Sequence, residues 1–178
     1  MRYFSESYFK HFASRLNETQ QREFCSHIIE PSADTKFDIF LSYNFEDRAI
    51  VKGVYLWLRS NGFKVYLDFE MDPELDRRKV TKETAALIHS RLSHSKSLVY
   101  AQSPNANMSK WMPWELGFID GHTSKCAILP ITPNGVAPAP RQEYLLLYPI
   151  IRINENNYAR VYTENAPLHG VTLGAYLR

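Results

Sequence analysis

Two stretches of the chain combine side chains that could do chemistry. The first is Ser109–Lys110–Trp111–Met112–Pro113–Trp114–Glu115, where two tryptophans and a carboxylate crowd into five residues. A proline at 113 suits the first turn of a helix, which sets Trp111 just before that helix and Glu115 just inside it. An indole beside a carboxylate can hold a flat ring and a sugar together. The second stretch is Ser42–Tyr43–Asn44–Phe45–Glu46–Asp47. Each has a plainer counterpart. A lone Glu in a first helical turn usually does no more than meet the helix dipole, at about 0.3–1 kcal/mol. Trp111 can be core filler, and Ser42 and Ser109 can bond local backbone.

Other chemistries fall away on spacing and composition. His89 and His94 lie five apart and do not share a helix face well, so no metal site is expected. Gly117 and Gly121 form no phosphate-binding loop, and neither glycine fingerprint for nucleotides occurs, which excludes an ordinary dehydrogenase or P-loop enzyme. The run Arg77–Arg78–Lys79 follows Glu70, Asp72, Glu74 and Asp76, and reads as a solvated loop rather than a phosphate clamp. Lys plus Arg is 21 against 19 Asp plus Glu, a net charge of +2. Such balance argues against gripping nucleic acid or an anionic membrane through bulk charge, so neither partner is expected. Cys25 and Cys126 are too few for a disulfide framework or a structural zinc site. No apolar run nears the roughly 18 residues of a membrane span. The opening MRYFSESYFKHF has no uninterrupted apolar h-region, and a cytoplasmic location is expected.

The elements that must position these residues alternate in type. At 178 residues, 44% of them apolar and 13% aromatic, the chain suits one well-cored domain. Phe37–Asp38–Ile39–Phe40–Leu41–Ser42 reads as a first strand, and Ile50, Val51, Val54, Tyr55 and Leu58 as a helix stopped by Asn61–Gly62. Phe63–Asp68 is a second strand. A helix capped by Thr81 presents Ala85, Ile88 and Leu92. Ser97–Ala101, Cys126–Pro130 and a segment near Tyr148–Ile151 supply strands three to five, and the tail from Pro167 to Leu177 reads as a closing helix. This alternation predicts a doubly wound parallel α/β sheet, five-stranded and flavodoxin-like, over residues 36–178. Such sheets bind ligands at the carboxyl ends of the strands, where the strand order reverses. That rule singles out the segments after strands one and three, Ser42–Asp47 and Ser103–Glu115, which contain the same two stretches. Residues 1–35 read as a helical extension, since Phe4, Tyr8 and Phe12 recur at i+4, followed by Phe24, Ile28, Ile29 and a short linker. Its apolar stripe is expected to cover this domain, with self-association as the sharper alternative.

Asp38–Ile39–Phe40–Leu41–Ser42–Tyr43 with Glu46–Asp47 resembles the first box of the TIR (Toll/interleukin-1 receptor) domain family. Ser109 through Gly117 resembles that family's serine–tryptophan–glutamate signature, and the likeness covers residues 36–151. It implies a catalytic role for Glu115 and NAD as the substrate. Receptor-type members carry an Arg-Asp-x-x-Pro-Gly loop and a late Phe-Trp pair; this chain keeps only Asp72–Pro73 of the first and has no tryptophan after Trp114. Both absences suit the bacterial NAD-consuming branch. Many relatives place an arginine or histidine where Asn44 stands, which puts one phosphate contact in doubt.

The resemblance thus implies cleavage of the bond between nicotinamide and ribose, with no cofactor beyond NAD itself as substrate. Glu115 would steady the oxocarbenium-like transition state, while Tyr43, Phe69 and Trp111 wall the leaving ring and Ser42, Asn44 and Ser109 line the substrate. Water as acceptor gives ADP-ribose; an internal nucleophile gives a cyclic form, and another nucleophile a conjugate. An antiphage role of the Thoeris kind is expected, with homo-oligomers and a separate effector reached through a diffusible nucleotide, since the length leaves no room for a fused one. The alternatives are a non-catalytic TIR–TIR interaction module and a 2-deoxyribosyltransferase-like enzyme. The Phe69–Lys79 loop is expected to act as a lid or an intersubunit contact, with Asp72 and Arg77 dispensable for stability.

Overall fold

The computed structural model describes residues 2–17, 19–20, 32, 34–72, 75, 80–137 and 142–178. Expectations for Phe24, Ile28 and Ile29, for most of the linker before residue 36 and for Arg77–Arg78–Lys79 fall outside the described residues. In chain order the elements are β1 (Phe4–Ser5), α1 (Glu6–Arg15), β2 (Phe37–Ser42), α2 (Arg48–Ser60), β3 (Val65–Tyr66), α3 (Asp68–Met71), α4 (Lys82–Ser93) and β4 (Ser95–Gln102). There follow α5 (Met112–Thr123), β5 (Cys126–Thr132), β6 (Ile150–Ile153), β7 (Ala159–Tyr162), β8 (Val171–Thr172) and α6 (Leu173–Leu177).

Strands β3-β2-β4-β5-β6 lie side by side and parallel, the expected doubly wound order. β2, β4 and β5 are buried along nearly their whole length, as apolar runs covered on both faces must be. The sheet then continues beyond the five expected strands. β7 and β8 extend it antiparallel, and β1 pairs with the end of β5, Phe4 opposite Ile131. A hairpin signal for β6–β7 was present in the Asn-rich turn, where Asn157 adopts φ 63°, a conformation asparagine tolerates well.

Three local readings need correction. The second strand pairs only over Val65–Tyr66, because Asp68 turns the chain: its Oδ1 accepts the Phe69 N–H at 2.7 Å and a one-turn helix follows. Phe4 belongs to a strand rather than to the N-terminal helix, which Ser5 caps by accepting the Tyr8 N–H at 3.1 Å. The tail is helical only from Leu173, since Gly170 at φ +61° breaks any earlier helix; a Cβ there would lie 2.9 Å from that of Arg160.

Side chains from Phe4 to Leu16 join the common core. Phe4 and Phe9 are fully buried, stack at 5.1 Å and both touch the Trp57 ring. α1 lies directly on Gly53 of α2, where an added Cβ would sit 2.2 Å from the Phe9 carbonyl oxygen. Only glycine permits that approach.

Candidate active site

Strand order reverses between β2 and β4, and the two suspected segments meet at their carboxyl ends. The 3-10 turn Phe45–Asp47 follows β2, and the loop after β4 runs through a second such turn at Ala106–Met108 into α5. Asp47 ties the two together. Its carboxylate is almost fully buried and accepts the Ser103 hydroxyl and, at 2.7 Å, the Asn105 amide. Asn44 adds a second tie. Its Oδ1 accepts the Glu46 N–H at 2.9 Å, and its Nδ2 donates to the Asn105 carbonyl at 2.7 Å. With both ends of that amide engaged, Asn44 frames the crevice rather than reaching into it. Ser103, Asn105 and Asp47 stood in the two segments that the strand-end rule singled out, but their roles as ties escaped the sequence reading; the one signal was a cluster of turn-forming polar residues after each strand.

α5 begins as expected, with proline in its first turn and Ser109 Oγ accepting the Met112 N–H at 3.2 Å. One turn in, Glu115 points back to the sheet. Ser42 Oγ donates to Glu115 Oε2 at 2.6 Å, and both residues are 0% exposed. Burial, the neighbouring Tyr144 and, to a lesser degree, the Glu115 carboxylate push the Tyr100 hydroxyl well above the ordinary tyrosine range. A carboxylate, a serine and a neutral tyrosine therefore share the space beneath α5.

Next to them in the chain, Tyr43, Asn44, Phe45 and the acidic Glu46 on one side and Met108, Ser109, Lys110 and Trp111 on the other line a cavity of about 260 Å³. Ser42 and Glu115 do not line it. Four of the suspected residues are thus brought to one cavity and two lie buried outside it, so the carboxylate meets a ligand only if its cover shifts. Phe69 lies behind Tyr43, ring edge to ring face at 5.5 Å. Asp68 holds this aromatic wall by accepting the Tyr43 hydroxyl at 2.5 Å. Two cations that spacing did not single out stand nearby: Lys110 lines the cavity, and the Arg48 guanidinium sits 3.9 Å above the Phe45 ring. Either could meet a phosphate.

The structure counts against the expectation for Asp72. Arg91, 5% exposed on α4, forms two bonds of 3.0 Å to the Asp72 carboxylate, and the Tyr66 hydroxyl donates to it at 2.8 Å. Asp72 thus ties the start of the loop to α4 and β3, which argues against its being dispensable for stability. Among the described residues, no group of three or more His, Cys, Asp or Glu could hold a metal, and no helix is long and apolar enough to cross a membrane.

A family model described as TIR domain matches residues 39–161. Over 116 residues the chain is 44% identical to the probable 3' cyclic ADP-D-ribose synthase ThsB' of Bacillus cereus (strain MSX-D12), covering 65% of this chain and 60% of that protein. Over 83 residues it is 24% identical to the putative cyclic ADP-D-ribose synthase TIR2 of Cytobacillus dafuensis, covering 46% of this chain and 22% of that protein. The chain therefore spans less than two thirds of the length of these relatives.

Proposed function

This chain belongs to the TIR domain family, and on that footing we propose that it cleaves NAD at the nicotinamide–ribose bond and closes the remainder into a cyclic ADP-ribose. The observation that carries the reading is the Ser42–Glu115 bond beside an aromatic cavity at the reversal of strand order. The names of both relatives supply the product class, and the more similar one favours the 3' linkage for this chain.

The chemistry asks little of the protein. Nicotinamide departs as a neutral pyridine with the electron pair of the broken C–N bond, so no acid has to protonate it. Positive charge then builds on the ribose C1 and its ring oxygen, and the Glu115 carboxylate would stabilise it in a setting shielded from water. Ser42 would hold that carboxylate in place. Tyr43 and Trp111 would flank the departing ring, with Lys110 or Arg48 at the phosphates. When a ribose hydroxyl of the same molecule attacks C1, its proton can pass to Glu115. Exclusion of water supports cyclisation over hydrolysis, and full burial of Glu115 is in keeping with that.

The same burial favours one rival, a module that only associates with other TIR domains. A resting enzyme whose cover shifts on self-association accounts for it equally. The product would then carry the signal to a separate effector, in antiphage defence of the Thoeris kind. Mass spectrometry of small molecules from cells expressing wild type or Glu115→Gln, with and without phage, separates the two. Cyclic ADP-ribose that appears with wild type and vanishes with Glu115→Gln supports the enzyme. Equal metabolites in both, with phage protection intact, would establish the interaction module.

A further inference from the structure

A cavity larger than the one beside Trp111 lies elsewhere. About 550 Å³ opens where residues 2–5 of the N-terminal segment, the carboxyl end of α2 and the β6–β7 turn converge. A second hollow of about 320 Å³ adjoins it, sharing Asn61, Tyr158 and Ala159. Neither shares a lining residue with the Trp111 cavity. The volume lies within the range of small-molecule sites, about 300–1,000 Å³.

Its lining is chemically selective. The chain carries nearly as many carboxylates as cations, yet among the described residues no Asp or Glu lines either hollow. Arg2 lines the larger hollow and Arg160 and Arg178 the smaller. The Arg178 guanidinium donates to the Gly62 carbonyl at 2.6 Å and lies over the Phe63 ring, which leaves Arg160 as the cation best placed for a ligand. The larger hollow also holds Tyr3, Tyr8, Trp57 and Tyr158, and Tyr158 is 63% exposed, a large ring with a face open to solvent. The walls are built rather than incidental. Arg2 and Ile153 exchange two backbone bonds of 3.0 Å, and the Arg2 guanidinium donates to the Asn157 side chain across the groove. A guanidinium binds phosphate oxygens, the open Tyr158 face can stack on a planar ring, and the amides of Asn61 and Asn134 suit ring-edge and hydroxyl groups.

We propose that this groove is a second ligand site, separate from the Glu115 crevice, which takes an anion bearing a planar ring: a nucleotide. A nucleotide bound there would bridge the N-terminal segment to the sheet edge, so the extension completes a site as well as part of the core.

The three tryptophans make the test selective, because Trp57 borders the groove while Trp111 and Trp114 belong to the other crevice. AMP, adenosine and inorganic phosphate are titrated into the full chain while the three indole N–H resonances are followed by NMR. AMP should shift the Trp57 signal saturably, at least tenfold more tightly than adenosine or phosphate. In Arg160→Ala combined with Tyr158→Ala that affinity should fall tenfold or more at an unchanged melting temperature, with any Trp111 response retained. A Trp57 resonance that ignores AMP overturns the proposal, as does phosphate binding equal to AMP or wild-type affinity in the double variant. Since the readout is binding at Trp57, it stands apart from whether Glu115 cleaves NAD.

Discussion

At the scale of single residues, the pairing of Ser42 with Glu115 separates a placed carboxylate from a merely buried one. Losing the carboxylate that faces an oxocarbenium should cost about 3–4 kcal/mol, or 10²–10³ in rate, so Glu115→Gln should fold and lose turnover by that factor. Ser42→Ala should be milder for rate and harsher for stability. It strips a buried carboxylate oxygen of a 2.6 Å donor, at about 1–3 kcal/mol by denaturant unfolding. Wild-type unfolding and turnover in Ser42→Ala would reduce the pair to a chance contact. Cys126 gives a pH prediction. Burial first, and Asp120 second, push its thiol up from 9.0 to about 12. The folded state therefore holds this proton where the unfolded chain releases it, and the contribution to stability is full below pH 9.0 and lost as pH rises towards about 12. Peptide mapping after iodoacetamide at pH 8 should find Cys126 unmodified in the native protein and alkylated once it is unfolded.

Among the elements, two contacts decide how the site's surroundings hold together. α1 rests on Gly53 so closely that Gly53→Ala must push it away from α2. Overpacking of this kind costs about 1–3 kcal/mol, and the melting temperature should drop while a glycine-tolerant neighbour such as Gly117, with open space around it, accepts alanine at little cost. The second contact joins Asp72 to Arg91. Removing one member of this part-buried, bidentate pair leaves the other charge short of its partner, at about 1–3 kcal/mol. Asp72→Ala should thus unfold more readily by that order, and Asp72→Asn should recover part of the loss through its remaining oxygen. Denaturant midpoints for both variants check this; equal midpoints with wild type would return Asp72 to the role of a solvated loop residue.

For the whole molecule, the N-terminal segment is a load shared between core and groove. Deleting residues 1–33 removes Phe4 and Phe9, each worth about 1.5–3 kcal/mol when buried. The truncated chain should melt at lower temperature and lose NAD cleavage only in step with folding. An unchanged melting temperature with loss of oligomers and activity would make the segment an assembly element instead. Much of this plan was legible in the sequence because its signals are local. Buried parallel strands need continuous apolar runs, which Phe37–Ser42 and Cys126–Thr132 supply; Thr81 caps its helix through an N–H three residues on. The starts of α4 and α5 and the two crevice segments followed from such short-range rules, whereas the starts of α1 and α6 did not. What bonds across long separations was out of reach. Ser42 meets Glu115 over 73 positions, Asn44 spends its amide on Asn105 over 61, and Arg91 finds Asp72 over 19. Side-chain partners at that range depend on strand register and helix placement, which no spacing encodes. The sequence by itself determined the five parallel strands of the sheet and which residues stand near the crevice, but not the strands β1, β7 and β8 that extend it. Only the tertiary structure decided that Glu115 is sealed, that Asn44 and Asp72 are ties, and that the first residues close a groove, because burial is a property of the packed molecule and not of the residue.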